Sequence, residues 1–315
     1  DQLGLDTAVK VRPSKGVHLV VAKDRIDSDA GIIRRTPDGL LFVIPWMDHW
    51  LIGDTDTEWV YDRSRPVANG SDVDRLLRSV NSFIQPPLQR SDVLSVFAGV
   101  RPLVESNARS ASVALSREHV VSGAGPQASV VAGGKYTTYR VMARDVVDRA
   151  VAAAGLQAGP SRTHLIPLHG ADGPPGSAGP WPVDSAVVKH LTARYGNRAQ
   201  DVLRSLVEHP TDVETVGPGP YLWAELRYAF MEEGARTLED ALERRTRIKA
   251  LYADAGRGVI ERVADLGAAS LGWAPPERQA HIDRYLAVLD AEAAALNEPD
   301  DASAWSAYQA VLQRN

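Results

Sequence analysis

The sequence contains no cysteine, which excludes disulfides, thiolate zinc sites, iron–sulfur clusters and a cysteine nucleophile. It also lacks any apolar run near the ~20 residues needed to span a bilayer. The longest such run, Leu40–Trp46, has the length of a strand. No charged–apolar–small targeting segment opens it. The eight histidines never fall at H-x-x-x-H or H-E-x-x-H spacing, which argues against a metal site. His164, His169, His190, His209 and His281 read as loop or surface residues. A basic excess is missing as well: 35 Lys and Arg stand against 40 Asp and Glu, net −5. That balance weighs against nucleic acid as a partner, because phosphate neutralisation needs a basic face.

What remains is ordinary globular composition: 315 residues, 44% hydrophobic and 24% charged, enough for two domains with a core each. The charge is uneven, with residues 1–160 near neutrality at +1 and residues 161–315 at −6. Between them, the run from Pro167 to Pro182 holds five prolines and four glycines, too many breakers for helix or strand. The N-terminal half reads as strands over Val17–Ala22, Gly31–Arg35, Leu40–Trp46, Trp50–Gly53, Leu94–Val100, Ser112–Leu115 and Val130–Ala132, each short and rich in β-branched or apolar residues. Thr36-Pro37-Asp38-Gly39 fits a hairpin turn. Ser71 reads as the N-cap of a helix carrying Val73, Leu76, Leu77 and Val80, and a second helix is expected from Thr138 to Ala154. The C-terminal half carries helical stripes, among them Leu222/Leu226/Ala229/Phe230, Val259/Ile260/Val263/Leu266 and Ile282/Leu286/Leu289. Thr237 and Asp240 form a capping-box pattern with Asp in place of Glu. An all-α domain is expected there.

Two familiar signatures fail on context. Gly123-Ala124-Gly125-Pro126-Gln127-Ala128 matches a loose dinucleotide pattern, but a strand-like run follows it where a helix should open under the pyrophosphate. Gly134-Lys135 is no P-loop, since Ser129 stands where the first glycine belongs and Tyr136 where Ser or Thr belongs. Three segments exceed plain scaffold. Arg12-Pro13-Ser14-Lys15-Gly16-Val17-His18 feeds two cations and a histidine into a strand. Gly99-Val100-Arg101-Pro102-Leu103 releases an arginine from a strand, with Arg117 beyond the next loop. Gly133-Gly134-Lys135-Tyr136-Thr137-Thr138 sets a glycine pair and a cation at a strand-to-helix junction. Glycines there let backbone N–H groups approach a ligand, and arginine offers a planar fork for phosphate. Together these features point to a small anionic ligand. Structural salt bridges and helix capping by Thr137-Thr138 compete with that reading.

The segments RPSKGVHLVV, FVIPWMDHWLIGDTDTEW, AGVRPL, LSREHVV and VAGGKYTTYRVMARDVVDRA, in that order, resemble FAD-dependent glycerol-3-phosphate dehydrogenase. LWAELRYAFMEEGARTLEDALERRTR resembles the C-terminal domain of the same family. The resemblance implies an α/β (α+β) flavoprotein of the glycine/D-amino-acid oxidase type, incomplete here because no strand–Gly-x-Gly-x-x-Gly–helix unit is present, followed by an all-α C-terminal domain. On that reading residues 1–160 hold the remainder of the FAD-binding domain and a substrate part (13–118, with 119–160 returning to the FAD domain). Residues 161–182 are a linker and 183–315 the helical domain. The implied reaction oxidises sn-glycerol 3-phosphate to dihydroxyacetone phosphate, with electrons passed through FAD to quinone. An oxygen-using glycerol-3-phosphate oxidase and a non-catalytic module without FAD are the alternatives. The resemblance further implies Arg101 and Arg117 on the substrate phosphate, and Gly133, Gly134, Lys135, Tyr136 and Thr137 against the flavin ring. Lys135 is implied between flavin and substrate, and His18 is the candidate base for the C2 hydroxyl. A peripheral place on the cytoplasmic face of the membrane is implied, and a homodimer is left open. Asp54 departs from the family, which usually has a hydroxyl residue there. The chain by itself is expected to be inactive and to bind FAD weakly or not at all.

Overall fold

The strand-like run Val17–Ala22 becomes part of the most buried strand of the sheet. The structure is a computed structural model describing residues 9–37, 39–104, 118–124, 128–173 and 183–314. The chain divides into two compact units, one of residues 1–16, 56–66 and 99–167 and the other of 17–55, 67–98 and 168–315. Strand β1 (Val11–Ala22) contributes residues to both, as does β6 (Val93–Val104), which pairs with it.

In the larger unit, β2 (Ile32–Thr36), β3 (Gly39–Trp46) and β4 (His49–Gly53) form an antiparallel meander that pairs with β1. The register runs His18↔Gly53 to Ala22↔His49 between β1 and β4, and Phe42↔Gly53 to Trp46↔His49 between β3 and β4. The turn expected at Thr36–Gly39 joins β2 to β3, with Thr36 Oγ1 donating to the Gly39 carbonyl; Asp38 lies outside the described residues. Side chains alternate along a strand, so Val17, Leu19 and Val21 share one face with Leu41, Val43, Trp50 and Ile52. That face is closed by Val73, Leu76, Leu77 and Val80 of α1 (Gly70–Asn81). His18 falls in the opposite phase.

The N-cap of α1 is Asn69 rather than Ser71. Its side chain accepts from Asp72 N–H at 2.9 Å while Asp72 accepts from Asn69 N–H at 3.1 Å. Ser71 hydroxyl instead reaches the Pro299 carbonyl. From residue 183 onward the described elements are helical, apart from an isolated Thr215–Leu222 bridge. They comprise α3 (Ser185–Tyr195), α4 (Ala199–Glu208), α5 (Trp223–Met231), a π-helical turn Asp240–Arg245, α6 (Ile248–Leu251), α7 (Ile260–Leu271), α8 (Pro275–Leu296) and α9 (Asp301–Leu312). The expected stripes pack together: Leu226, Phe230, Ile260, Val263, Leu266, Ile282 and Leu289 belong to one buried cluster. No helix among the described residues is long and apolar enough to cross a membrane.

In the smaller unit, β5 (Thr57–Glu58) pairs with the start of β1, Ser14↔Glu58 and Lys15↔Thr57. Strands β7 (His119–Gly123) and β8 (Ser129–Gly133) form a hairpin, and α2 (Tyr139–Ala153), preceded by Thr138 at its N-cap, leaves from its end. The sequence reading missed β7, whose REHVV run is short and follows two charged residues. Since Gly123 ends β7 and Ser129 opens β8, the loose glycine pattern there belongs to a hairpin, as its context indicated. The expected strand Ser112–Leu115 lies outside the described residues.

Candidate functional site

The RPSKGVH run becomes the N-terminal part of β1, and nearly every residue in it has a specific neighbour. Arg12 is exposed and pairs with Glu58 at 3.3 Å. Ser14 is buried and donates to Asp56. Lys15 has no exposed surface, and its ammonium sits 5.4 Å from the centre of the Trp59 ring, a cation–π arrangement. Val17 N–H donates to Thr55 Oγ1 at 3.0 Å.

Gly16 is buried because Arg101 of β6 occupies the space a side chain would take. A Cβ on Gly16 would come within 2.7 Å of the Arg101 Cζ and 2.8 Å of its Nη1. The guanidinium therefore sits against the bare backbone of Gly16, and Arg101 is half-buried. A planar fork seated in this way has lost part of its side-chain freedom before any ligand arrives.

His18, in the larger unit, is fixed by the same device. Its ring stacks on Phe97 with centroids 5.3 Å apart and planes 8° apart. Opposite it in register is Gly53, where a Cβ would meet the ring's Cγ at 2.8 Å and Nε2 at 2.9 Å. The imidazole is half-buried and sandwiched.

The glycine pair at the end of β8 is the third feature, in the smaller unit with Arg101. Gly133 and Gly134 have φ of +75° and +83°, the left-handed region that side chains disfavour. A Cβ on Gly133 would lie 2.7 Å from the Glu118 carbonyl oxygen and 2.8 Å from Val104 at the end of β6; one on Gly134 would lie 2.9 Å from Met142 Cε. The two glycines thus turn the chain tightly between the hairpin and α2. They deliver Lys135, Tyr136 and Thr137 to an exposed 3-10 turn, Tyr136–Thr138. Thr138 hydroxyl donates back to the Lys135 carbonyl at 3.0 Å, closing the turn. Tyr136 is 91% exposed and stacks on Tyr139. The first N–H groups of a helical turn have no partner inside it, so this junction offers donors and a cation together.

Both halves of the chain match known proteins. Residues 1–140 match the family model described as FAD dependent oxidoreductase, and residues 161–278 match the C-terminal domain of alpha-glycerophosphate oxidase. A Mycobacterium leprae protein named glycerol-3-phosphate dehydrogenase is 41% identical over 303 residues, covering 94% of this chain and 52% of that protein. The human mitochondrial glycerol-3-phosphate dehydrogenase is 32% identical over 292 residues, 88% of this chain and 40% of that one. The chain belongs to the FAD-dependent glycerol-3-phosphate dehydrogenase family. It spans about half the length of the mycobacterial relatives it matches. The crystal structure of the glycerol-3-phosphate dehydrogenase from Bacillus halodurans complexed with FAD shares the fold, with a TM-score of 0.72 at 24% identity, over 90% of this chain and 57% of that one.

As a member of this family the chain carries Arg101, Gly133, Gly134, Lys135, Tyr136 and Thr137 in one unit and His18 in the other. Arg117 lies outside the described residues. Sequence reasoning missed Gly16 and Gly53, whose importance depends on which strand lies alongside. It named Lys15 as one of two cations but did not foresee its burial, although a signal existed: Lys15 shares the odd-numbered phase of Val17, Leu19 and Val21, the inward face of the strand. The reading of His190 as a loop or surface residue is corrected. It lies half-buried on α3, with Nε2 3.0 Å from Glu225, a carboxylate with no exposed surface.

Proposed function

We propose that this chain supplies substrate and flavin-ring contacts for the oxidation of sn-glycerol 3-phosphate to dihydroxyacetone phosphate. Arg101 receives the phosphate, with Arg117 as its second arginine. Its seat against Gly16 is the observation that carries the reading, because a guanidinium fork matches a phosphate monoester. His18 takes the proton of the C2 hydroxyl as the C2–O bond becomes a carbonyl; imidazole is the side chain most often used for such proton transfer. FAD, when bound, accepts the hydride that leaves C2. The exposed turn at Lys135–Thr137, with its N–H groups and ammonium, fits the electron-rich edge of an isoalloxazine, where such donors stabilise developing negative charge. Gly133 and Gly134 set the angle at which that turn is presented. On this reading residues 13–118 are the substrate part, 119–160 return to the FAD-binding part, and 183–315 form the C-terminal helical domain.

Electrons then pass to quinone, with the protein held peripherally at the cytoplasmic face of a membrane. The match to the C-terminal domain of alpha-glycerophosphate oxidase favours a second reading in which oxygen is the acceptor. Reduction of a soluble quinone analogue without peroxide supports the first, and stoichiometric peroxide supports the second. For the substrate, Arg101→Ala in the intact, FAD-loaded protein should lower kcat/KM for glycerol 3-phosphate by about 2–5 kcal/mol, the effect of removing a desolvated charge partner. An unchanged kcat/KM would overturn the phosphate assignment.

A further inference from the structure

A cleft of about 430 Å³ opens in the larger unit, remote in sequence from the residues assigned to the redox step. That volume suits a small molecule. One wall is the turn between β3 and β4, where Trp46 and Met47 sit; the other comes from α3, the segment after α5, and the π-helical turn. Charge decides its character. Arg194 is neutralised by buried Glu225 at 3.4 Å, and Arg244 by Asp240 at 2.9 Å. Arg245 and Arg247 also line it, with Glu233 as the one carboxylate among the described lining residues.

Two polar atoms on this cleft are buried without a hydrogen-bond partner among the described residues, a donor at Arg245 Nε and an acceptor at Glu233 Oε2. Buried polar groups are ordinarily satisfied, so an orphaned donor and acceptor on one cleft point to a ligand carrying both roles. Burial raises the Glu233 pKa, opposed by Arg194 and Arg245, so its carboxyl is short of stabilising contacts. The walls are also held in unusual backbone: Arg247 has φ +61° and Met47 φ +54°, rare for residues with side chains. The guanidinium of Arg247 lies 5.8 Å from the Trp46 ring centre, bridging the walls.

We propose that this cleft binds a soluble, hydroxylated phosphate monoester, with the phosphate on Arg245 and Arg247, a hydroxyl donating to Glu233 Oε2, and the carbon skeleton against Trp46. A phosphate rather than a carboxylate is indicated because two arginines line the cleft beside a single carboxylate, and one fork already saturates a carboxylate. The hydroxyl follows from Glu233, which would repel a bare anion.

Calorimetric titration of the 315-residue chain with glucose 6-phosphate, inorganic phosphate and glucose tests this. Glucose 6-phosphate should bind at least about tenfold more tightly than inorganic phosphate, and glucose not at all. Arg247→Gly suits the left-handed backbone, so it should keep the unfolding midpoint while weakening glucose 6-phosphate by about tenfold or more. Glu233→Leu should narrow the preference over inorganic phosphate, and Arg101→Ala should leave binding unchanged. Equal affinity for the two phosphates, insensitivity to Arg247→Gly, or loss with Arg101→Ala overturns the proposal. Arg247-dependent flotation with phosphatidylglycerol vesicles, without binding of glucose 6-phosphate, would assign the cleft to a lipid headgroup and overturn it equally.

Discussion

Two glycines carry the precision of the proposed chemistry by leaving room for a functional neighbour. At Gly16 the neighbour is the flexible end of Arg101, which can swing aside. Gly16→Ala should therefore cost little stability while displacing the guanidinium, so that kcat/KM falls toward that of Arg101→Ala with an unchanged unfolding midpoint. Equal activity in Gly16→Ala and the parent would show that the guanidinium's seat is irrelevant. At Gly53 the neighbour is the ring of His18, already backed by Phe97, so neither side yields easily. Gly53→Ala should destabilise by about 1–3 kcal/mol, the usual penalty of overpacking, and denaturant unfolding would read it.

At the level of elements, caps do what propensity alone cannot. The Thr237–Asp240 box has both reciprocal bonds, Asp240 N–H to Thr237 Oγ1 at 3.1 Å and Thr237 N–H to Asp240 Oδ2 at 3.0 Å, and Arg236 N–H adds a further bond at 3.0 Å. Burial would raise the Asp240 pKa, but these bonds and Arg244 outweigh it and hold the carboxyl below its ordinary range. A depressed folded-state pKa means stability that is full above the unfolded value near ~3.9 and lost as pH falls through the folded one. Asp240→Asn should thus lower stability by about 1 kcal/mol at neutral pH, and the gap to the parent should close in acid. Thermal unfolding across the acid range checks both, and a gap that widens in acid would contradict the argument. Asn69→Ala, at the buried cap of α1, should cost about 1–2 kcal/mol. Ser71→Ala should cost less, since Ser71 does not cap that helix.

For the whole chain, the question is what it can hold unaided. No strand–G-x-G-x-x-G–helix unit occurs in the sequence, and the nearest match lies in the β7–β8 hairpin. The exposed turn at 135–138 offers only a few hydrogen bonds to a flavin ring, each worth roughly 0.5–1.5 kcal/mol, against an association cost of at least ~4 kcal/mol. Flavin fluorescence titration of the 315-residue chain should therefore give an FAD dissociation constant no tighter than about millimolar. Micromolar binding would mean that another part of this chain grips the pyrophosphate.

Periodicity made the meander, α1 and the helices from α5 onward legible, because burial of one face writes itself into spacing of 2 or 3.6 residues; α3 and α4 were expected only as part of an all-α domain. An anionic ligand was expected for a different reason: arginine, lysine and paired glycines at strand ends have few structural uses in common. Neighbours distant in sequence were not legible. That Gly16 lies under Arg101, that Gly53 makes way for His18, and that Arg245 and Arg247 share a cleft with Trp46 depend on strand pairing and helix packing between segments tens to hundreds of residues apart. No local pattern encodes a partner that folding alone brings alongside.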